Sequence, residues 1–88
     1  MKKLLSLINN ALKQYETSIV YSNIARCHLK LEEINKCIDN CAMALTHNPN
    51  NFKAELMLGD SSLLLAEKEQ NELFADQAQE YYKKAIAI

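Results

Sequence analysis

Eighty-eight residues admit one small domain, which buries roughly 60% of the surface its unfolded chain would expose, so any core is modest. With 49% hydrophobic and 24% charged residues the chain is not a disordered tail, and a formal net charge of −1 offers no basic field for a phosphate backbone, which argues against a nucleic-acid partner. One glycine and one proline are too few for the turns of sheets or loop-rich folds and point to helices joined by tight connections.

Residues 1–8 imitate the charged and apolar regions of a secretory signal, but Asn9-Asn10 interrupts them and no small-residue cleavage site follows. The segment reads instead as a first helix, with Leu4, Leu5, Ile8, Ala11, Leu12 and Tyr15 at i, i+3, i+4 spacing. Glu16-Thr17-Ser18 breaks that stripe, and Thr17 or Ser18 can cap a second helix carrying Tyr21, Ile24, Ala25, His28 and Leu31. Glu32-Glu33 opens a third with acids in its first turn, where the helix dipole favours them. Its stripe is Ile34, Cys37, Ile38, Cys41, Ala44 and Leu45, and Asn48-Pro49-Asn50-Asn51 stops it.

A fourth helix from near Asn51 turns Ala54, Leu58, Ser62 and Leu65 inward, and the polar run 67–72 is either its exposed extension or a turn. A fifth, from Leu73 or Phe74 to the end, puts Ala78, Tyr81, Tyr82, Ala85 and Ile86 on one face, with Lys83 and Lys84 in its last turn. No apolar run approaches the 18 or so residues that span a bilayer, so a membrane is not an expected partner. Three cysteines, Cys27, Cys37 and Cys41, are an odd number on helical segments, which suits reduced thiols and a cytoplasmic setting better than a disulfide framework.

The helix ends repeat. Asn10-Ala11-Leu12, Met43-Ala44-Leu45 and Lys84-Ala85-Ile86 each set a small residue before a larger aliphatic one, with Ala11 and Ala44 33 residues apart and Ala44 and Ala85 41 apart. The first interval is within one residue of a 34-residue helix-pair period; the second is that period with an insertion of about seven. If Pro49 closes a unit, the unit starts at Ser18 and its signature positions hold Tyr21, Ile24, Ala25, His28, Cys37, Cys41, Ala44 and Pro49. The next, from Phe52, supplies Leu58, Gly59, Ala78, Tyr82 and Ala85.

On these residues the chain resembles the tetratricopeptide (TPR) family over nearly its whole length. His28 and Cys41 stand where that family usually has aromatics, and Glu55 where it has a large residue. The resemblance implies an all-α fold of antiparallel helix-turn-helix repeats, a TPR-like solenoid of about five helices. Residues 1–17 would be the second helix of a partial unit, 18–51 a full unit, and 52–88 a second unit with a lengthened connection. The expected core is Ile24, Ala25, Cys37, Cys41, Ala44, Leu58, Gly59, Ala78, Tyr82 and Ala85. Gly59 falls where two helices press closest, which accounts for a glycine that otherwise costs a helix about 1 kcal/mol relative to alanine. An array that starts with half a unit leaves apolar surface uncovered, so the chain is expected to be part of a longer protein or to dock at its ends.

In such repeats the first helices of the units line a concave groove, here Ile19, Ser22, Asn23, Arg26, Lys53, Leu56, Met57 and Asp60. Ser22-Asn23-Ile24-Ala25, Cys27-His28-Leu29-Lys30-Leu31, Asp39-Asn40-Cys41 and Asn50-Asn51-Phe52-Lys53-Ala54 are similar to the TPR subclass of co-chaperones that grip the C-terminal carboxylate of heat-shock chaperones. Asn23 matches that subclass's asparagine and Lys53 its lysine of the following unit, whereas Met57 stands where it has arginine and the first pair of the grip has no counterpart. The resemblance thus implies a protein-binding scaffold whose partner is a protein or peptide, a chaperone C-terminal tail among the options. The alternative is a structural piece of a larger assembly that packs through its uncapped helical ends, self-association included.

Two other chemistries have less support in the sequence. Cys37 and Cys41 are four apart with His28 on the neighbouring helix, but three ligands are one short of a usual zinc site and all three residues fall on packing positions, so core packing is the stronger reading. A cysteine–histidine nucleophile lacks an oxyanion hole or a glycine-rich turn, so no catalytic residues and no cofactor are expected. Glu67, Glu69 and Glu72, mixed with Lys68, read as a solvated face.

Overall fold

A computed structural model describes residues 1–87 as four helices: α1 (Lys2–Lys30), α2 (Ile34–His47), α3 (Phe52–Glu69) and α4 (Glu72–Ala87), with no strand among the described residues. Ile88, the last residue of the second expected unit, lies outside them. α1 packs along α2 and α3 along α4, and α2 and α1 both touch α3, giving two antiparallel helix pairs stacked side by side. The fold class is all-α helix-turn-helix, with four helices rather than five.

The lost boundary lies at Thr17 and Ser18. Neither hydroxyl accepts from a backbone N–H as an N-cap would. Thr17 Oγ1 donates to the Lys13 carbonyl at 2.8 Å, and Ser18 Oγ donates to the Ala44 carbonyl at 2.6 Å across the α1–α2 interface. With both engaged as donors the backbone ladder runs on uninterrupted, and α1 extends over 29 residues. His47 at the end of α2 stacks on Tyr21 with ring centroids 5.6 Å apart and meets Gln14 Oε1 at 2.5 Å. Residues 1–16 are all exposed, so the first half of α1 runs past its partner helices, in keeping with a longest dimension of 56 Å.

The α1–α2 turn also differs from expectation. Glu32 adopts φ 58°, Glu32 N–H donates to the Leu29 carbonyl at 3.0 Å and Glu33 N–H to the His28 carbonyl at 2.9 Å, the paired bonds of a Schellman cap. The two acids therefore close α1, and α2 begins at Ile34 with no acid in its first turn. Gln70, φ 51°, ends α3 in the same left-handed way, placing the α3–α4 turn inside the polar run 67–72. Asn51 caps α3, its Oδ1 accepting from Ala54 N–H at 3.1 Å.

Small side chains dominate the core: Ala25, Cys37, Cys41, Ala44 and Ala54 are fully buried, with Met57 and Leu58 beside them and Tyr21, Leu29, Ile38, Leu45 and Tyr81 packed around. Gly59 and Ala78 are also buried. Ile24 is not a core residue; it remains 39% exposed, because Ser18, Ser22 and Ala25 are the α1 positions turned toward the helix pair. Tyr82 and Ala85 are only half-buried. No helix among the described residues is long and apolar enough to cross a membrane.

Candidate functional site: the α1–α3 groove

Two adjoining depressions run along the seam between α1 and α3. One, of about 200 Å³, is lined by Tyr15, Ile19, Ser22, Asn23, Asn48, Asn50, Asn51, Phe52 and Lys53. The other, of about 450 Å³, is lined by Arg26, Leu29, Lys30, Phe52, Lys53, Leu56, Met57 and Asp60. Phe52 and Lys53 belong to both and join them into one groove. All eight residues that the repeat spacing assigned to the concave face line it, since positions three and four apart on each helix turn toward the same seam.

The eight do not share one role. Ser22 is buried: its Oγ donates to the Ile19 carbonyl at 3.0 Å and accepts from Asn51 Nδ2 at 3.4 Å. Met57, 6% exposed, belongs to the core and forms the floor. Asn23, Arg26, Lys53 and Asp60 are exposed and form a polar rim above the apolar Ile19, Phe52 and Leu56. Among the described residues no carboxylate pairs with Arg26, Lys30 or Lys53, so three cations face one anion across the groove. The anion is itself engaged: Tyr82 donates from its hydroxyl to Asp60 Oδ1 at 2.5 Å. Burial, and then that bond, push the Tyr82 phenol up to about 12.

Asn51 ties the groove wall together. While its Oδ1 caps α3, its Nδ2 donates to Ser18 Oγ at 2.8 Å, so one amide fixes the start of α3 against the middle of α1. Asn48 Oδ1 accepts from Asn50 N–H at 3.1 Å and shapes the loop that forms the groove's end. Tyr15, Asn48, Asn50, Phe52, Leu29 and Lys30 were missed from the sequence. By sequence Tyr15 belongs to a separate first helix, Asn48 to the stretch that stops the third helix, and Asn50 both to that stretch and to the co-chaperone-like stretch 50–54.

The cysteines lie elsewhere. Cys37 and Cys41 are fully buried with Sγ atoms 4.0 Å apart, and Ser61 Oγ donates to Cys37 Sγ at 3.4 Å. Burial raises the Cys41 thiol well above its ordinary value, with Cys37 and Glu55 adding to the effect. His28, expected beside them on the neighbouring helix, instead bonds Glu33 Oε1 through Nδ1 at 3.3 Å. Lys36 first, and then His28, hold the Glu33 carboxyl below its ordinary value. Among the described residues no three His, Cys, Asp or Glu side chains are grouped to hold a metal ion. Glu55 is buried, and among the described residues its Oε2 has no hydrogen-bond partner.

Comparison with known proteins gives one local likeness. Over 34 residues, 39% of this chain, the sequence is 47% identical to the Hsp70/Hsp90 co-chaperone CNS1 of Saccharomyces cerevisiae. The matched stretch spans 9% of that protein's length. No protein-family profile matches the chain, and no solved structure does.

Proposed function

We propose that this chain is a protein-binding module of TPR type, without enzymatic activity, whose α1–α3 groove holds an extended acidic segment of a partner protein. The observation that carries the reading is the meeting of Asn23, Arg26 and Lys53 on the rim of one groove with Ile19, Phe52, Leu56 and Met57 beneath them. Unpaired cations and an amide donor above an apolar floor suit a peptide with carboxylates and aliphatic side chains. The likeness of a segment to a protein named as an Hsp70/Hsp90 co-chaperone supports a chaperone tail as the partner. In this reading Asn23 and Lys53 grip the terminal carboxylate. Arg26, one turn beyond Asn23, supplies the guanidinium that Met57 does not.

The test is an anisotropy titration with an acidic peptide ending in a free carboxylate, beside the same peptide amidated at its C-terminus. Carboxylate-dependent, saturable binding that weakens roughly tenfold on Lys53→Ala or Asn23→Ala is the expected result. Equal binding of both peptides removes the terminal-carboxylate grip. Absence of binding to either removes the groove reading and leaves a structural piece of a larger assembly, which the bare apolar half of α1 favours.

A further inference from the structure

α1 and α3 run in the same direction along the groove. Asn51, at the start of α3, bonds Ser18 and Ser22 of α1, and further along both helices Arg26 and Lys30 line the same depression as Leu56, Met57 and Asp60. Asp60 therefore stands at the same end of the groove as Arg26 and Lys30, the partners that opposite charge would give it. Those pairs do not form. Among the described residues the ion pairs are His28–Glu33, Lys36–Glu33 and Lys83–Glu80, none of them in the groove. Asp60 is held instead from the other side of α3. Tyr82, on α4, lines neither depression, and its hydroxyl donates to Asp60 Oδ1 at 2.5 Å.

The competition favours the tyrosine. An exposed ion pair gains little over water and must order two long side chains, whereas a hydroxyl already seated by packing loses little freedom in bonding a carboxylate. Tyr82 is seated in this way: its ring lies on Gly59, where no Cβ keeps it off the α3 backbone, and its hydroxyl is thereby delivered to the next residue. Burial and the bond itself push the phenol up to about 12, so it remains a donor throughout the neutral range. We propose that Tyr82 is a positioning residue of the groove: by holding Asp60 it keeps that carboxylate off Arg26 and Lys30 and leaves both cations open to the acidic groups of a partner peptide. A peptide carboxylate then meets the two cations with no internal competitor to displace. The effect on a peptide rests on the groove being its binding site, whereas the holding of Asp60 does not.

Tyr82→Phe tests this, because it keeps the ring for Gly59 and removes only the hydroxyl. In the free chain, the NMR signals of Arg26 Nε and the Lys30 side chain should shift on Tyr82→Phe as Asp60 turns toward them. They should stay in place when Tyr82→Phe is added to Asp60→Asn. With the acidic peptide ending in a free carboxylate, Tyr82→Phe should weaken binding about two- to fivefold, the size of an exposed ion pair that must first be broken. Added to Asp60→Asn, it should leave the affinity unchanged. A role confined to α3–α4 packing would weaken binding in both backgrounds, and that outcome overturns the proposal. So do Arg26 and Lys30 signals indifferent to Tyr82→Phe in the native background, or a bound peptide whose affinity ignores it. If the native chain binds no peptide, the groove reading falls, and the NMR comparison alone decides whether Tyr82 holds Asp60 off the cations.

Discussion

The ring of Tyr82 lies directly on Gly59: a Cβ built there would stand 2.5 Å from Tyr82 Cε1 and 2.7 Å from Cδ1, inside any permitted carbon–carbon contact. The α3–α4 pair is therefore closed by a tyrosine face on a bare helix backbone, and the same tyrosine reaches Asp60 one residue further on.

Gly59→Ala should destabilise the fold by up to about 2 kcal/mol, because overpacking costs about 1–3 and better helix propensity returns about 1. Relief by swinging the ring outward would break its bond to Asp60, so neither route is free. In urea unfolding, the cost should shrink markedly when Tyr82→Ala is already present. Additive effects of the two changes would show that the ring does not rest on Gly59.

Tyr82 also makes stability fall in strong base. Its folded-state value of about 12 lies above the ordinary value of about 10, so the neutral phenol is the form the fold favours. The contribution is complete below pH 10 and is lost as pH rises toward 12. Thermal melts between about pH 9 and 12 should fall more steeply for the native chain than for Tyr82→Phe, and identical slopes would contradict the assignment.

Asn51 is expected to matter more than either neighbouring asparagine. Asn51→Ala removes a helix cap worth about 1 kcal/mol and the bonds to Ser18 and Ser22, a combined loss of about 2 kcal/mol. Asn50→Ala, whose side chain makes no such tie and is exposed, should stay within about 0.5 kcal/mol of the native chain. Chemical denaturation of the two variants decides between them.

Thiol titration should find one fast cysteine. Cys27 is exposed, whereas Cys37 and Cys41 are buried and the Cys41 thiol is held protonated by its surroundings. A disulfide reagent under native conditions should label one equivalent promptly and the other two only at the rate of unfolding. Prompt labelling of all three would mean that the α2–α3 core opens readily.

Helix periodicity, scarcity of glycine and proline, and the 33-residue echo of Ala11 in Ala44 were sufficient to establish an all-α chain of helix pairs. They also place Ala25, Cys37, Cys41, Ala44, Leu58, Gly59 and Ala78 at close contacts. These features are local or periodic, and small residues recurring at 3.6 spacing have few other uses. The groove-facing positions were legible for the same reason, as consequences of helical phase. What each does there was not: Ser22 and Met57 are claimed by Asn51 and the core, and Asp60 by Tyr82, all partners that spacing alone does not reveal.

The number of helices was decided by tertiary structure. Thr17 and Ser18 have the chemistry of a helix cap, and in isolation a hydroxyl may accept from a backbone N–H or donate to a carbonyl. Ser18 donates because the Ala44 carbonyl, 26 residues away, lies 2.6 Å from it once α2 has packed. That one long-range bond lies in the interior of α1, where the residues alone read as a start signal, and residues 1–16 of the same helix remain exposed.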